Sequence, residues 1–169
     1  MWSKLGLYGA VTAIVAAAVL ALGAAVATAH GDAKALRLVA TDTQENFLDL
    51  GSPGPSLGDQ LVISETLARR GRGVGTAGVV CTIVGAEPPY EVLTFQCLAT
   101  LRLRNGQITL HGLIEVQGEN DRGPWTVAIT GGTGDFRGAS GEAVVRDISD
   151  TRTIYRLRID SANKKKHRN

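Results

Sequence analysis

The sequence predicts an all-β protein, an eight-stranded antiparallel up-and-down barrel. Three observations carry this. Apolar residues recur at period two: Tyr155, Leu157 and Ile159 alternate with Arg156, Arg158 and Asp160, and Leu93, Phe95, Cys97, Ala99, Leu101 and Leu103 alternate with Thr94, Gln96, Leu98, Thr100 and Arg102. Eight strand-like segments follow one another, separated by turn-forming residues. No linker or low-complexity stretch interrupts Leu36 to Asp160. Closing sequential strands on themselves removes the exposed edges of an open sheet. A β-sandwich is the competing arrangement.

The segments, in order, are Leu36–Phe47, Gln60–Ala68, Gly75–Val84, Glu91–Arg104, Gln107–Gln117, Trp125–Thr130, Glu142–Ile148 and Thr153–Asp160. Gly51, Pro53-Gly54-Pro55 and Gly58 break the chain after the first, and Arg70-Gly71-Arg72-Gly73 after the second. Asn105-Gly106 is a strong hairpin signal suited to a type I′ turn. The run Gly118 to Pro124 closes a further loop. Gly131-Gly132-Thr133-Gly134-Asp135-Phe136-Arg137-Gly138-Ala139-Ser140-Gly141 carries five glycines in eleven residues. It lacks the lysine of a phosphate-binding loop, and Arg137 stands where a dinucleotide fingerprint needs its third glycine. It reads as a tight connection between strands.

The ends divide the chain into three parts. Residues 1–29 hold Lys4, an uncharged stretch from Leu5 to Ala29, and two small-x-small sites, Ala25-Val26-Ala27 and Ala27-Thr28-Ala29. That is the pattern of a cleaved secretory signal peptide; an uncleaved anchor is the competing reading. Residues 30–160 form the barrel domain. Residues 161–169 form a basic tail around Lys164-Lys165-Lys166-His167-Arg168, which offers association with an anionic cell surface. The net charge of +2 and the lack of a basic stripe interleaved with aromatics exclude nucleic acid as the expected partner.

Cys81 and Cys97 are the only cysteines and are mirror images about Pro89. With that residue at a hairpin tip they face each other on one sheet face, and an exported chain would bridge them. No metal is expected. His30, the first residue after cleavage at Ala29, and His111 are the two histidines that a copper site would use, and two ligands do not make a site. There is no nucleophile elbow and no His-Glu-x-x-His. Of the scattered carboxylates, Glu65 and Glu115 sit inside otherwise uncharged strands. A lumen-facing one would have its pKa raised by burial, which is how a carboxyl becomes a general acid.

Three segments together resemble one family. They are Leu57-Gly58-Asp59-Gln60-Leu61-Val62-Ile63-Ser64, Val74-Gly75-Thr76-Ala77-Gly78-Val79-Val80-Cys81, and Ile129-Thr130 with the glycine-rich run through Glu142. In order and spacing they are similar to the allene oxide cyclase barrel family, and more loosely to plant dirigent proteins. The resemblance implies an eight-stranded barrel with a cavity at one end. It also implies an isomerase or cyclase that acts by holding a reactive intermediate in one conformation. The cyclases place a Glu-x-Asn motif on the first strand, with Ser-Pro after it. The matching residues here are Gln44 and Asn46, then Ser52 and Pro53, so Gln44 replaces the catalytic glutamate. A neutral amide supplies no full charge to a cationic intermediate, and Glu45, one residue on, belongs to the other strand face. Cys81 matches a cavity-lining cysteine, and the plant relatives' trimers imply a homo-oligomer.

The resulting expectation is a secreted barrel that binds a small hydrophobic ligand in its mouth and guides its cyclisation or isomerisation without a cofactor. Its catalytic candidates are Gln44, Asn46 and Glu65, and its ligand-binding candidates are Gln44, Asn46, Ser52 and Pro53. A non-enzymatic dirigent-like or purely structural exported barrel is the alternative.

Overall fold

The computed structural model describes residues 33–160, apart from Glu87, Pro88, Tyr90 and Glu119. The leader at 1–29, His30 and the tail at 161–169 lie outside them. Among the described residues no helix is long and apolar enough to cross a membrane.

Eight strands form: β1 (Lys34–Leu48), β2 (Gln60–Arg69), β3 (Arg72–Ala86), β4 (Val92–Leu103), β5 (Gly106–Gln117), β6 (Trp125–Gly132), β7 (Ser140–Ser149) and β8 (Arg152–Asp160). Each pairs antiparallel with the next, and β8 returns to pair with β1, closing the barrel. The competing sandwich is therefore excluded. The predicted alternation holds: Tyr155, Leu157 and Ile159 are buried, while Arg156, Arg158 and Asp160 are exposed.

The two ends of the barrel differ. At the end where β1 begins, Leu38, Leu67, Leu101, Ile108 and Leu110 are almost fully buried and fill the lumen. Each such burial is worth roughly 1.5–3 kcal/mol. At the other end the inward positions carry smaller side chains, Val79, Cys81, Cys97, Ala99 and Val145, and these leave a cavity.

The glycine-rich run seals the filled end. β6 stops at Gly132, a short 3-10 turn spans Gly134–Phe136, and β7 starts at Ser140. The Asp135 N–H donates to the Asn105 carbonyl at 2.9 Å, and the Thr133 N–H to the Gln107 carbonyl at 2.9 Å. Gly134 has φ of +59°, and a Cβ there would overlap the Asn105 carbonyl oxygen. The glycine is needed for backbone to lie on backbone. As expected, this is a strand connection.

That seam also changes the neighbouring hairpin. Leu103 pairs with Gly106, so the loop is Arg104-Asn105. Asn105 has no positive φ, as a type I′ turn at Asn105-Gly106 would require; Gly106, at φ +148°, lies under the Thr133 carbonyl instead. The backbone with two successive positive φ values is at Arg70 (52°) and Gly71 (77°), between paired Arg69 and Arg72.

One irregularity matters for the site. β1 pairs with β2 through Asp42↔Glu65 and then Gln44↔Ser64, so Thr43 is an extra residue, a β-bulge. The Thr43 hydroxyl donates to the Ser64 carbonyl at 2.9 Å and holds it.

Candidate functional site

The cavity at the open end has a volume of about 270 Å³. Its wall is divided. β3 to β6 contribute apolar and aromatic side chains, among them Val79, Phe95, Ile114, Trp125 and Val127. β7, β8 and β2 contribute Asp147, Thr153, Tyr155 and Glu65. Asp42 of β1 lies directly across from Glu65 in the ladder.

Glu65 is the centre of the polar side. It is only 3% exposed, and its Oε2 accepts a hydrogen bond from the Tyr155 hydroxyl at 2.9 Å. Burial pushes its pKa up to about 7; the Tyr155 bond opposes the rise, and the charges of Asp42 and Asp147 add to it. Burial, reinforced by the charge on Glu65, raises the Tyr155 hydroxyl well above its ordinary range. Asp147 is raised by burial, although the Thr153 hydroxyl donates to it at 2.7 Å. Asp42 is raised by burial and by Asp147, and its Oδ1 is buried with no hydrogen-bond partner. A neutral tyrosine beside a carboxyl that titrates near neutrality can give or take a proton within an otherwise apolar lumen.

Of the two strand carboxylates considered from sequence, Glu65 faces the lumen and Glu115 is exposed on the outer face of β5. His111 is exposed too, its Nε2 3.0 Å from the Gln96 amide.

The expected arrangement of β1 is reversed. Paired residues of an antiparallel ladder share a face. Because Thr43 is bulged, Gln44 opposes Ser64 and Asn46 opposes Val62, both on the outer face, while Glu45 opposes Ile63 on the inner face. Gln44 and Asn46 are exposed and absent from the cavity wall. Glu45 also stays exposed and does not line the cavity. The one-residue argument that assigned Glu45 to the outside assumed an unbroken strand.

Ser52 and Pro53 are exposed in the loop between β1 and β2 and do not line the cavity either. Asp59 builds this loop. It is fully buried and accepts the backbone N–H groups of Leu50 (2.8 Å), Gly51 (3.2 Å) and Ser56 (2.7 Å), and the Ser56 hydroxyl (3.1 Å). These bonds, led by that from Leu50, hold its pKa below the ordinary carboxylate value of 3.8. A depressed pKa stabilises the fold above the unfolded-state value and loses that contribution as pH falls through the folded one. The loop amides of Leu50, Gly51 and Ser56 are therefore expected to exchange slowly at pH 6. They should lose protection selectively below the ordinary carboxylate range, as measured by hydrogen exchange. Protection unchanged in an Asp59→Asn variant would show that the carboxylate is not what orders the loop.

Cys81 and Cys97 are directly paired across β3 and β4 and form a disulfide, with both residues in the cavity wall. The mirror placement read from the sequence is the register observed.

The wall is thinnest between β5 and β6. Their pairing covers only Ile108–His111 against Ala128–Gly132, and beyond it the strands part. The Trp125 indole spans the gap, its Nε1–H donating to the Glu115 carbonyl at 2.8 Å. Trp125, Ile114 and Asp121 line both the cavity and an open groove outside it. Asp42, Asp147, Thr153, Tyr155 and Trp125 were not selected from sequence as site residues. The available signal was Tyr155, a polar ring next to Leu157 and Ile159 in the inward row of β8.

Solved structures share this architecture. A pyocyanin demethylase aligns with a TM-score of 0.65 and 28% identity over 75% of this chain and 99% of its own. AbnU, an exo-specific intermolecular Diels-Alderase, aligns with a TM-score of 0.58 and 17% identity over 76% of this chain and 98% of its own. The pterocarpan synthase dirigent protein PsPTS1 aligns at 0.57 and 19% identity over 76% and 94%. Among curated proteins no sequence matches significantly. The family model described as "allene oxide cyclase barrel like domain" matches residues 34–160, the whole of the eight-stranded barrel, and the chain belongs to that family.

Proposed function

We propose that this barrel binds a small hydrophobic molecule in its lumen and guides an isomerisation or cyclisation of it, with Glu65 moving a proton on or off the bound ligand. The observation that carries this reading is the Glu65–Tyr155 pair, buried at the polar side of an apolar cavity, with Glu65 titrating at about 7. A general acid–base works best with a pKa near the working pH. A rigid apolar lumen fixes the ligand's conformation, which supplies orientation. The similar structures named as a demethylase, a Diels-Alderase and a dirigent synthase act on small molecules, which supports the class of ligand.

In this reading the catalytic centre moves from Gln44 and Asn46 to Glu65 and Tyr155. Ser52 and Pro53 belong to the loop at the mouth, which admits the ligand. Export through the leader is part of the proposal, supported by the disulfide, and the basic tail would hold the protein at an anionic cell surface. Val80, Leu98 and Leu113, exposed on the outside of β3 to β5, support a homo-oligomer.

The test uses the full chain expressed in its host. Small molecules released by denaturing the purified protein are identified by mass spectrometry and offered back in deuterium oxide. The expected result is a bound hydrophobic compound that gains deuterium at carbon only when protein is present. A co-purified ligand that never exchanges or rearranges would leave a binding barrel and overturn the catalytic role of Glu65. A lumen that holds no ligand and takes none up would favour the purely structural alternative.

A further inference from the structure

The electrostatics of the lumen narrow the class of ligand, an inference that rests on the cavity being the binding site. Its lining carries Glu65, Asp121 and Asp147, with Asp42 beside them, and among the described residues no Lys or Arg side chain lines it. His111 also borders the cavity; its side chain is exposed, with Nε2 3.0 Å from the Gln96 amide. Arg122 pairs outside with Asp150, where both side chains reach solvent, and its charge also acts on Asp147.

These acids do not neutralise one another by hydrogen bonding alone. Glu65 is 3% exposed, lines the cavity and accepts a hydrogen bond from Tyr155 at Oε2. Asp42 Oδ1 is buried and unpartnered. Asp121, by contrast, is held ionised by the backbone N–H groups of Gln117 and Gly123. A buried carboxylate left without a counter-charge is costly, so such groups are ordinarily paired. Phe95 and Trp125 line the same cavity, and aromatic rings attract cations.

We infer that the lumen takes a ligand with an apolar, ring-sized body and a cationic nitrogen, either an amine or a charged nitrogen heterocycle, and rejects carboxylates. The cation supplies the counter-charge that Glu65 lacks, and the apolar body packs on the wall made by β3 to β6. A carboxylate would add a further negative charge to a lining that carries no Lys or Arg side chain.

The sign of the pH dependence follows from the groups around the cavity of Glu65: Asp42 on β1, His111 on β5, Asp147 on β7, Tyr155 and Thr153 on β8, and Asp121 and Arg122 from the loop before β6. Only Arg122 is positive, and it lies outside the cavity. Glu65 is therefore mostly protonated at pH 5 and ionised at pH 8, and a cation binds better at pH 8.

The experiment compares three probes of one shape by calorimetry on the full chain: 1-naphthylmethylammonium, 1-naphthylmethanol and 1-naphthylacetate. At pH 8 the ammonium is expected to bind about tenfold more tightly than the alcohol, and the carboxylate not measurably. At pH 5 the advantage of the ammonium shrinks. In a Glu65→Gln, Asp147→Asn double variant, shown folded by its thermal melt, the preference for the ammonium shrinks while the alcohol still binds. Equal binding of alcohol and ammonium at pH 8, or measurable binding of the carboxylate, overturns the charge selection and leaves the ligand-binding reading standing. Binding by none of the three overturns both.

Discussion

Replacing Glu65 with glutamine is expected to stabilise the barrel above neutral pH and, on the proposed function, to slow proton transfer to the bound ligand sharply. The ordinary glutamate value is 4.5, and in the folded protein Glu65 is raised to about 7, first by burial and then by Asp42 and Asp147. The folded state thus holds this proton more tightly than the unfolded chain does. The stability that it contributes is complete below pH 4.5 and is lost as pH rises through about 7. At 1.36 kcal/mol per unit, that loss is about 3 kcal/mol by pH 8. Glutamine is neutral throughout, and its carbonyl can still accept the Tyr155 hydroxyl. Urea denaturation should therefore find the variant about 3 kcal/mol more stable at pH 8 and close to wild type at pH 4. Proton exchange into the bound ligand should fall by roughly 100-fold or more, the usual contribution of a positioned acid–base. A stability difference of the same size at both pH values would show that Glu65 is not a buried, titrating group. Gaining stability while losing activity is the trade expected where a site keeps a destabilising group for function.

The second large effect concerns the disulfide. Cys81 and Cys97 are separated by 16 positions in sequence and joined across β3 and β4. In the loop-closure account a bridge of this span removes enough freedom from the unfolded chain to be worth roughly 3 kcal/mol. A Cys81→Ala, Cys97→Ala double variant should lower unfolding stability by about that amount, read as a shift in the urea midpoint. The wild-type protein measured under reducing conditions should fall by a similar amount, because the same constraint is lost without changing the side chains. A loss below about 1 kcal/mol in both would mean that the neighbouring ladder, rather than the bridge, holds these strands together. Both residues line the cavity, so the variant should also bind ligand differently from wild type.

Much of this was legible in the sequence because the information is local. Alternation at period two marks a strand with one buried face wherever that strand ends up, so Tyr155, Leu157 and Ile159 could be assigned inward before any partner was known. The glycine-rich run was readable for the same reason: its density demands tight backbone, and it lacks the lysine and helix that a phosphate site needs. Even the cysteine pair was local, since a hairpin fixes its own register. The hairpin at Asn105 shows where local rules stop. Its sequence favours a type I′ turn, but its carbonyl is taken by Asp135 from the next hairpin, and that contact set the backbone instead.

The sequence by itself determined the barrel, its strand order, the disulfide and the presence of Glu65 as an isolated acid in an apolar strand. Only the tertiary structure decided which side chains line the cavity. A single bulge at Thr43 turned Gln44 and Asn46 outward, and a bulge is a property of how two strands pair rather than of either strand's composition. Closure of the ring brought Tyr155 to Glu65 across 90 residues of sequence and stood Asp42 and Asp147 around them. Their raised pKa values exist only there, because burial and like charge act through space and have no counterpart in the order of residues along the chain.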